Sequence, residues 1–230
     1  MATTSFQRWG ILTIVAVTVI GTIGSFAVMV LAQQQQSNQQ AAYQKALTAY
    51  QAKQADYEKK VQAQADELSA KYYDGFKAYS DQVGTFDINS VKEVTTEDLV
   101  VGDGEEVTGT TKLGAYYIGW DANGHVFDQS IDTTNNKLKS PLPITDGLDN
   151  ASLITGWKEG MKGMHINGVR VITIPSDKAY GEAGSKDANG KETIAPNMPL
   201  KFVVMAIPAS AAITQPDTTE LMNIYTQMNQ

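Results

Sequence analysis

Cysteine and histidine, the side chains that most often serve as nucleophile or general base at neutral pH, are scarce. The 230-residue chain has no cysteine, and its two histidines, His125 and His165, stand far apart in sequence. A thiolate nucleophile, a thiolate metal site and a disulfide are therefore excluded, and a histidine-based hydrolase finds no supporting pattern. Two Asp-Ala-Asn-Gly tetrapeptides, Asp121–Gly124 and Asp187–Gly190, cluster oxygen atoms as a calcium loop does. Neither continues into the spacing of an EF-hand loop, and Asn-Gly is a ready hairpin turn, so no metal and no cofactor is expected. Trp157, Phe127 and Phe202, taken singly, are ordinary core residues, Asp128 a turn carboxylate, and Tyr180-Gly181 a loop pair. Such residues supply shape and exclusion of water rather than a nucleophile.

The net charge of −7 and a pI near 4.8 argue against nucleic acid, which needs a basic face to displace phosphate counterions. Partners are then proteins or small ligands. The length suits one domain plus extra elements, since domains cluster at roughly 100–150 residues.

Three regions surround and contain the candidate residues. Ile11–Ala32 is free of charge and long enough to cross a bilayer, which takes about 20 residues. Arg8 precedes it and no charge follows until Lys45, which predicts residues 1–10 in the cytoplasm, an anchor over 11–32 and everything later outside the cytoplasm. The rival reading is a cleaved signal peptide ending at the small pair Val30 and Ala32, although such apolar regions usually run about 7–15 residues. Residues 33–83 form a Gln/Ala-rich helical stalk. Tyr43, Tyr50 and Tyr57 recur every seven residues, with Leu47, Val61 and Leu68 continuing the stripe and Gln54 and Gln64 interrupting it. This predicts either a solvated single helix or a weak homodimer through the stalk. From Gly84 to Ala209, short apolar runs between Gly, Asn, Asp and Pro predict an antiparallel β-rich domain, with strands at Asp98–Val101, Lys112–Trp120, Val169–Ile174 and Lys201–Ile207. Asp149–Trp157 reads as one short helix capped by Asp149 or Asn150, giving an α+β fold. Residues 210–230 are a tail, either loose or a docking helix through Leu221, Ile224, Tyr225 and Met228.

From Asp98 to Pro208 the segments resemble, in order, the FKBP family of peptidyl-prolyl cis/trans isomerases. Leu99–Gly104 is similar to the family's first strand and turn, Tyr116-Tyr117-Ile118-Gly119 to its HYTG strand, and Gly124–Ser130 to its G-x-x-F-D-S-S hairpin. Leu153–Met161 is similar to V-I-x-G-W-E-E-G, and Ile174–Gly181 to I-P-x-x-x-A-Y-G. Ile194-Ala195-Pro196 and Pro199–Phe202 resemble the flap and closing strand. The resemblance implies an antiparallel sheet wrapped on one short helix. It also implies a site of Tyr117, Phe127, Asp128, Ile154, Trp157, Tyr180 and Phe202, with Leu142, Leu153 and Ile194 contacting substrate. Trp157 is the implied floor, and Asp128, the Ile154 N–H and the Tyr180 hydroxyl the polar points. The implied partners are proline-containing protein clients and the macrolides that bind FKBP domains. Leu142 stands where the family often has an aromatic residue, and the segments between Asp128 and Ile144 and between Tyr180 and Phe202 are longer than in the minimal family member.

An X–Pro amide resists rotation because partial double-bond character sets a barrier of about 18–20 kcal/mol. The twisted amide has lost that resonance and is less polar, so a dry aromatic pocket favours it without covalent chemistry. The expected function is isomerisation of X–Pro bonds in extracytoplasmic proteins. The alternatives are an FKBP-like module that holds clients with little turnover, and a structural membrane protein whose stalk is the functional part.

Overall fold

The computed structural model describes residues 36–228. The segment 1–10, expected in the cytoplasm, and the anchor expected over 11–32 lie outside them, and among the described residues no helix is long and apolar enough to cross a membrane. The described residues fall into two compact units, one from Ala65 to Ala211 and one formed by 36–64 with 212–228.

Helix α1 runs Gln36–Lys77 through a stretch free of proline. In the smaller unit, Tyr43 and Ala46 on α1 bury against Leu221, with Leu47, Tyr50, Ile224, Tyr225 and Met228 alongside. The early part of the tyrosine stripe is thus covered within the chain by the C-terminal helix, Thr219–Met228, and gives no support to a homodimer seam. Just before that helix, Asp217 Oδ1 accepts the Thr219 N–H at 2.8 Å and the Thr219 hydroxyl at 2.6 Å.

The larger unit is built on an antiparallel sheet of six strands: β1 (Thr95–Val100), β2 (Leu113–Asp121), β3 (Val126–Gln129), β6 (Leu142–Ile144), β7 (Val169–Ile174) and β10 (Leu200–Pro208). The order is β1-β7-β10-β2-β3, with β6 also paired to β2. Two small hairpins, β4 (Ile131–Asp132) with β5 (Lys137–Leu138) and β8 (Ser185–Lys186) with β9 (Glu192–Ile194), lie off it. Strand β10 is central, pairing with β2 from Leu200↔Asp121 to Pro208↔Leu113 and with β7 from Leu200↔Ile174 to Met205↔Val169.

Side chains alternate across this sheet, and on the strands β2, β7 and β10 both faces are largely buried. On the first face Leu113, Ala115, Ile172, Ile174, Phe202, Val204 and Ala206 join one core cluster. A short helix, α2 (Thr155–Met161), lies on this face along β7. It approaches closely because Gly156 and Gly160 are its contact points: an added Cβ would come within 2.2 Å of Ile174 Cγ2 and 2.4 Å of Ile172 Cγ2.

On the second face Tyr116, Ile118, Trp120, Val169, Val203 and Ile207 pack around Phe76, the latter wholly inaccessible, with Leu68, Tyr72, Tyr73 and Tyr79 at the margin. The last turns of α1 therefore cover the sheet. They are pinned by Ser69 Oγ, which accepts the Leu138 N–H at 2.8 Å, and by an Asp66–Lys137 ion pair at 3.1 Å. The solvated-helix expectation does not hold for these turns, because the alternating apolar side chains of β2, β7 and β10 leave a second face that water would otherwise wet.

One further expectation, the helix over Asp149–Trp157, is corrected. The short helix starts at Thr155, and its N-cap, Ile154, gives no side-chain bond. Asp149 and Asn150 lie instead in a separate 3₁₀ turn, Leu148–Asn150, where Asp149 Oδ1 pairs with Lys162 at 2.7 Å and Asn150 Nδ2 donates to Asp146 O. Both Asp-Ala-Asn-Gly segments form Asx turns. Asp121 Oδ1 accepts the N–H groups of Asn123 and His125, and Asp187 Oδ1 those of Asn189 and Lys191.

Candidate active site

The candidate residues come from separate elements that the sheet and α2 bring together. Tyr117 is on β2, Phe127 and Asp128 on β3, Leu142 on β6, Leu153 and Ile154 immediately before α2, Trp157 on α2, Tyr180 after β7, Ile194 on β9 and Phe202 on β10. Asp128 apart, all of them belong to or pack against the same cluster on the first face of the sheet.

Four rings make the centre of the site. Trp157 meets Tyr117 and Phe202 edge-on, with centroids 5.3 Å away in each case and interplanar angles of 86° and 89°. Phe202 in turn meets Phe127 at 5.6 Å and 83°. Perpendicular contacts at these distances are the favourable arrangement for aromatic quadrupoles and fix the rings against one another. Trp157 and Phe202 are nearly fully buried and form the base, while Tyr117, Phe127, Ile154 and Tyr180 are half-buried and form walls. The Trp157 indole N–H is buried without a hydrogen-bond partner among the described residues.

Gly119 makes the ring arrangement fit. It pairs with Phe202 on β10 and Asp128 on β3, and a Cβ there would stand 2.6 Å from Phe202 and 2.8 Å from Phe127. No other residue leaves room for the two rings to meet over the strand. Sequence reasoning saw this glycine only as part of a motif, because nothing local announces which rings will cross it.

The polar points are sparse. The Tyr117 hydroxyl donates to Asp128 Oδ2 at 2.5 Å, so the carboxylate is held by a phenol at the margin of the aromatic cluster. Tyr117 is itself fixed through Ser130, whose buried Oγ accepts the Tyr117 N–H at 2.9 Å and whose own N–H donates to Tyr117 O at 2.8 Å. Ser130 was not foreseen as a supporting residue. Ile154 has extended backbone angles (φ −59°, ψ 148°), and its carbonyl accepts the first helical bond from Trp157. As the residue before the first turn of α2, it presents an N–H outside the helical ladder.

Below the site, Arg170 is buried and ties α2 to the sheet. Its Nε and Nη2 donate to both carboxylate oxygens of Asp98 at 2.6 and 2.9 Å, and Nη1 to Gly160 O and Lys162 O at 3.0 Å each. The guanidinium thus serves β1, β7 and the C-terminal carbonyls of α2 together, and it holds the Asp98 carboxyl below the usual carboxylate range. Sequence reasoning missed this pair. The one available signal was a lone arginine inside the apolar run of β7.

Residues 104–207 match the FKBP-type peptidyl-prolyl cis-trans isomerase family. An FK506-binding protein of Neisseria meningitidis serogroup A is 40% identical over 89 residues, which are 39% of this chain and 75% of that protein. The chain belongs to the FKBP family. It has the peptidyl-prolyl cis-trans isomerase activity that the family carries. A probable FK506-binding protein of Corynebacterium glutamicum is 35% identical over 41% of this chain and 73% of its own length. A solved peptidyl-prolyl cis-trans isomerase of Pseudomonas syringae aligns over 62% of this chain and 96% of its own at 25% identity, with a TM-score of 0.41. The FKBP match begins after the α1 turns that cover the second face, so this cover lies outside the part shared with the family model.

Proposed function

We propose that the aromatic pocket of Tyr117, Phe127, Trp157, Tyr180 and Phe202 is the isomerase site, and that it works on proline-containing client proteins outside the cytoplasm from a membrane-anchored chain. The observation that carries the site is the run of perpendicular ring contacts from Tyr117 through Trp157 and Phe202 to Phe127. A proline ring lies over Trp157 with Leu142, Leu153 and Ile194 around it, while the Ile154 N–H and the Tyr180 hydroxyl hold substrate carbonyls. Transfer into this pocket removes water from the planar amide, which is the more polar form, and so lowers the rotation barrier. No residue needs to donate or accept a proton. Relatives of this chain are FK506-binding proteins, and the same pocket suits such macrolides here.

The anchor rests on the charge-free run Ile11–Ala32, and the orientation on Arg8 before it. Protease added to spheroplasts is expected to digest residues 36–228, with the N-terminal segment retained in the membrane; protection of the domain would overturn the orientation. For the site, Phe127→Ala is expected to reduce turnover on proline peptides far more than Tyr180→Phe. The latter removes one neutral hydrogen bond, worth about 0.5–1.5 kcal/mol. A folded Phe127→Ala variant with unchanged turnover would reject the pocket.

A further inference from the structure

Between the end of β7 at Ile174 and the 3₁₀ turn Gly181–Ala183, the chain passes through a second 3₁₀ turn, Ser176–Lys178, and then presents Tyr180. Backbone bonds within the turns, Lys178 N–H to Pro175 O and Ala179 N–H to Ser176 O, shape the segment locally. Bonds to other elements lie on either side of Tyr180. After it, Gly181 O accepts the Asn197 N–H at 2.8 Å from the flap. Before it, Lys178 Nζ donates to Glu159 Oε1 at 2.7 Å. Glu159 lies on α2, two residues after Trp157, so this ion pair joins the helix carrying the base of the pocket to the loop carrying its wall.

Both partners are partly exposed, at 40% and 44%, and a pair of that kind contributes little to overall stability. A bond of small thermodynamic weight can still set local geometry where it bridges two elements of one pocket. The Glu159 carboxylate also raises the Lys178 ammonium above the usual lysine range, consistent with a formed pair.

We infer that Glu159 and Lys178 are positioning residues, whose ion pair sets the distance of the Tyr180 hydroxyl from Trp157 and thereby tunes isomerase turnover without itself touching substrate. This deepens the site reading above and rests on it. The experiment uses the full chain in detergent and measures kcat/KM on a proline peptide alongside the urea midpoint. Lys178→Met and Glu159→Gln are each expected to lower kcat/KM by about twofold to fivefold, less than loss of the full Tyr180 hydrogen bond allows, with the urea midpoint unchanged. The charge-reversed E159K/K178E chain is expected to recover most of the loss, and Lys178→Met added to Tyr180→Phe is expected to cost nothing further. Unchanged kcat/KM in both single variants would overturn the inference while leaving the pocket intact. So would a loss that adds fully to that of Tyr180→Phe, or one that follows the urea midpoint. If Tyr180→Phe alone has no effect, Tyr180 is not a substrate-holding group and the inference falls with that part of the site.

Discussion

Phe76 lies on a helix that precedes the catalytic sheet, yet it is wholly inaccessible, with its ring 6.0 Å from Tyr116 and 6.3 Å from Tyr79. Truncating it to alanine removes most of an aromatic burial of order 150 Å², which at about 25 cal/mol per Å² is close to 4 kcal/mol. Measured Phe→Ala losses in cores run about 3–5 kcal/mol, the low end applying where neighbours can collapse. The last turns of a helix can move inward, so about 3 kcal/mol is the expected loss, or about 6–12 °C in melting temperature for a unit of this size. Urea and thermal unfolding of the chain from Gln36 onward, followed by circular dichroism and tryptophan fluorescence, measure it. Isomerase turnover at a temperature where both proteins are folded should stay within about twofold, because Phe76 and the aromatic site occupy opposite faces of the sheet. A loss below about 1 kcal/mol would refute the claim that residues 65–77 are part of the domain core. A selective loss of turnover in the folded variant would refute the independence of the two faces.

Gly119→Ala, which would place a methyl against Phe127 and Phe202, is expected to lower proline-peptide turnover at least about tenfold while circular dichroism still shows a folded sheet. The Tyr116 hydroxyl is buried without a hydrogen-bond partner among the described residues, so Tyr116→Phe should raise stability by up to about 1 kcal/mol in urea unfolding at pH 7. Burial also raises the Tyr116 pKa. The unfolded chain therefore loses this proton first, and stability should fall by up to about 1.4 kcal/mol per pH unit above pH ~10, a slope that Tyr116→Phe reduces. Asp98→Asn leaves Arg170 poorly paired and should cost about 1–3 kcal/mol at pH 7, the range discounted for the exposure of Asp98. Because the Asp98 pKa is depressed, its contribution is present above pH ~4 and lost as the pH falls below that, so the variant should show a flatter acid limb. FK506 is expected to compete with proline peptides, as titration calorimetry would show; no binding to the folded chain would count against the pocket.

Much of the sheet could be read from the sequence because its strands are punctuated and apolar. Val169–Ile174 coincides with β7, and Lys112–Trp120 and Lys201–Ile207 lie within one residue of β2 and β10 at either end. The ten candidate site residues stood out only through ordered motifs, since each taken alone passes for a core or turn residue. The start of α2 was misplaced because Asp149 and Asn150 have good capping chemistry, yet they lie in a separate 3₁₀ turn where their side chains bond to Lys162 and to Asp146 O instead of capping a helix. The role of residues 65–77 was hidden by the polar surface of α1, whose apolar stripe does not change character where the domain begins. The continuous apolar run on β10, Phe202 to Ile207, does signal burial on both faces, and a second cover follows from that. Arg170 and Asp98 are far apart in sequence, and only the β1–β7 register makes them neighbours.

The central strand of the sheet is also its last. Strands β7 and β2 are joined only through β10, so a ribosome or translocon delivering the chain from its N-terminus releases both before their shared partner exists. Until Leu200–Pro208 emerges, hairpins such as β2–β3 can form but the sheet cannot close. The apolar side chains of β2 and β7 meanwhile remain open to wrong partners. An enzyme that speeds rotation about X–Pro bonds thus depends for its own folding on long-range pairing, the kind of contact that slows folding. Its exposure to misassembly is set by how quickly those final residues follow.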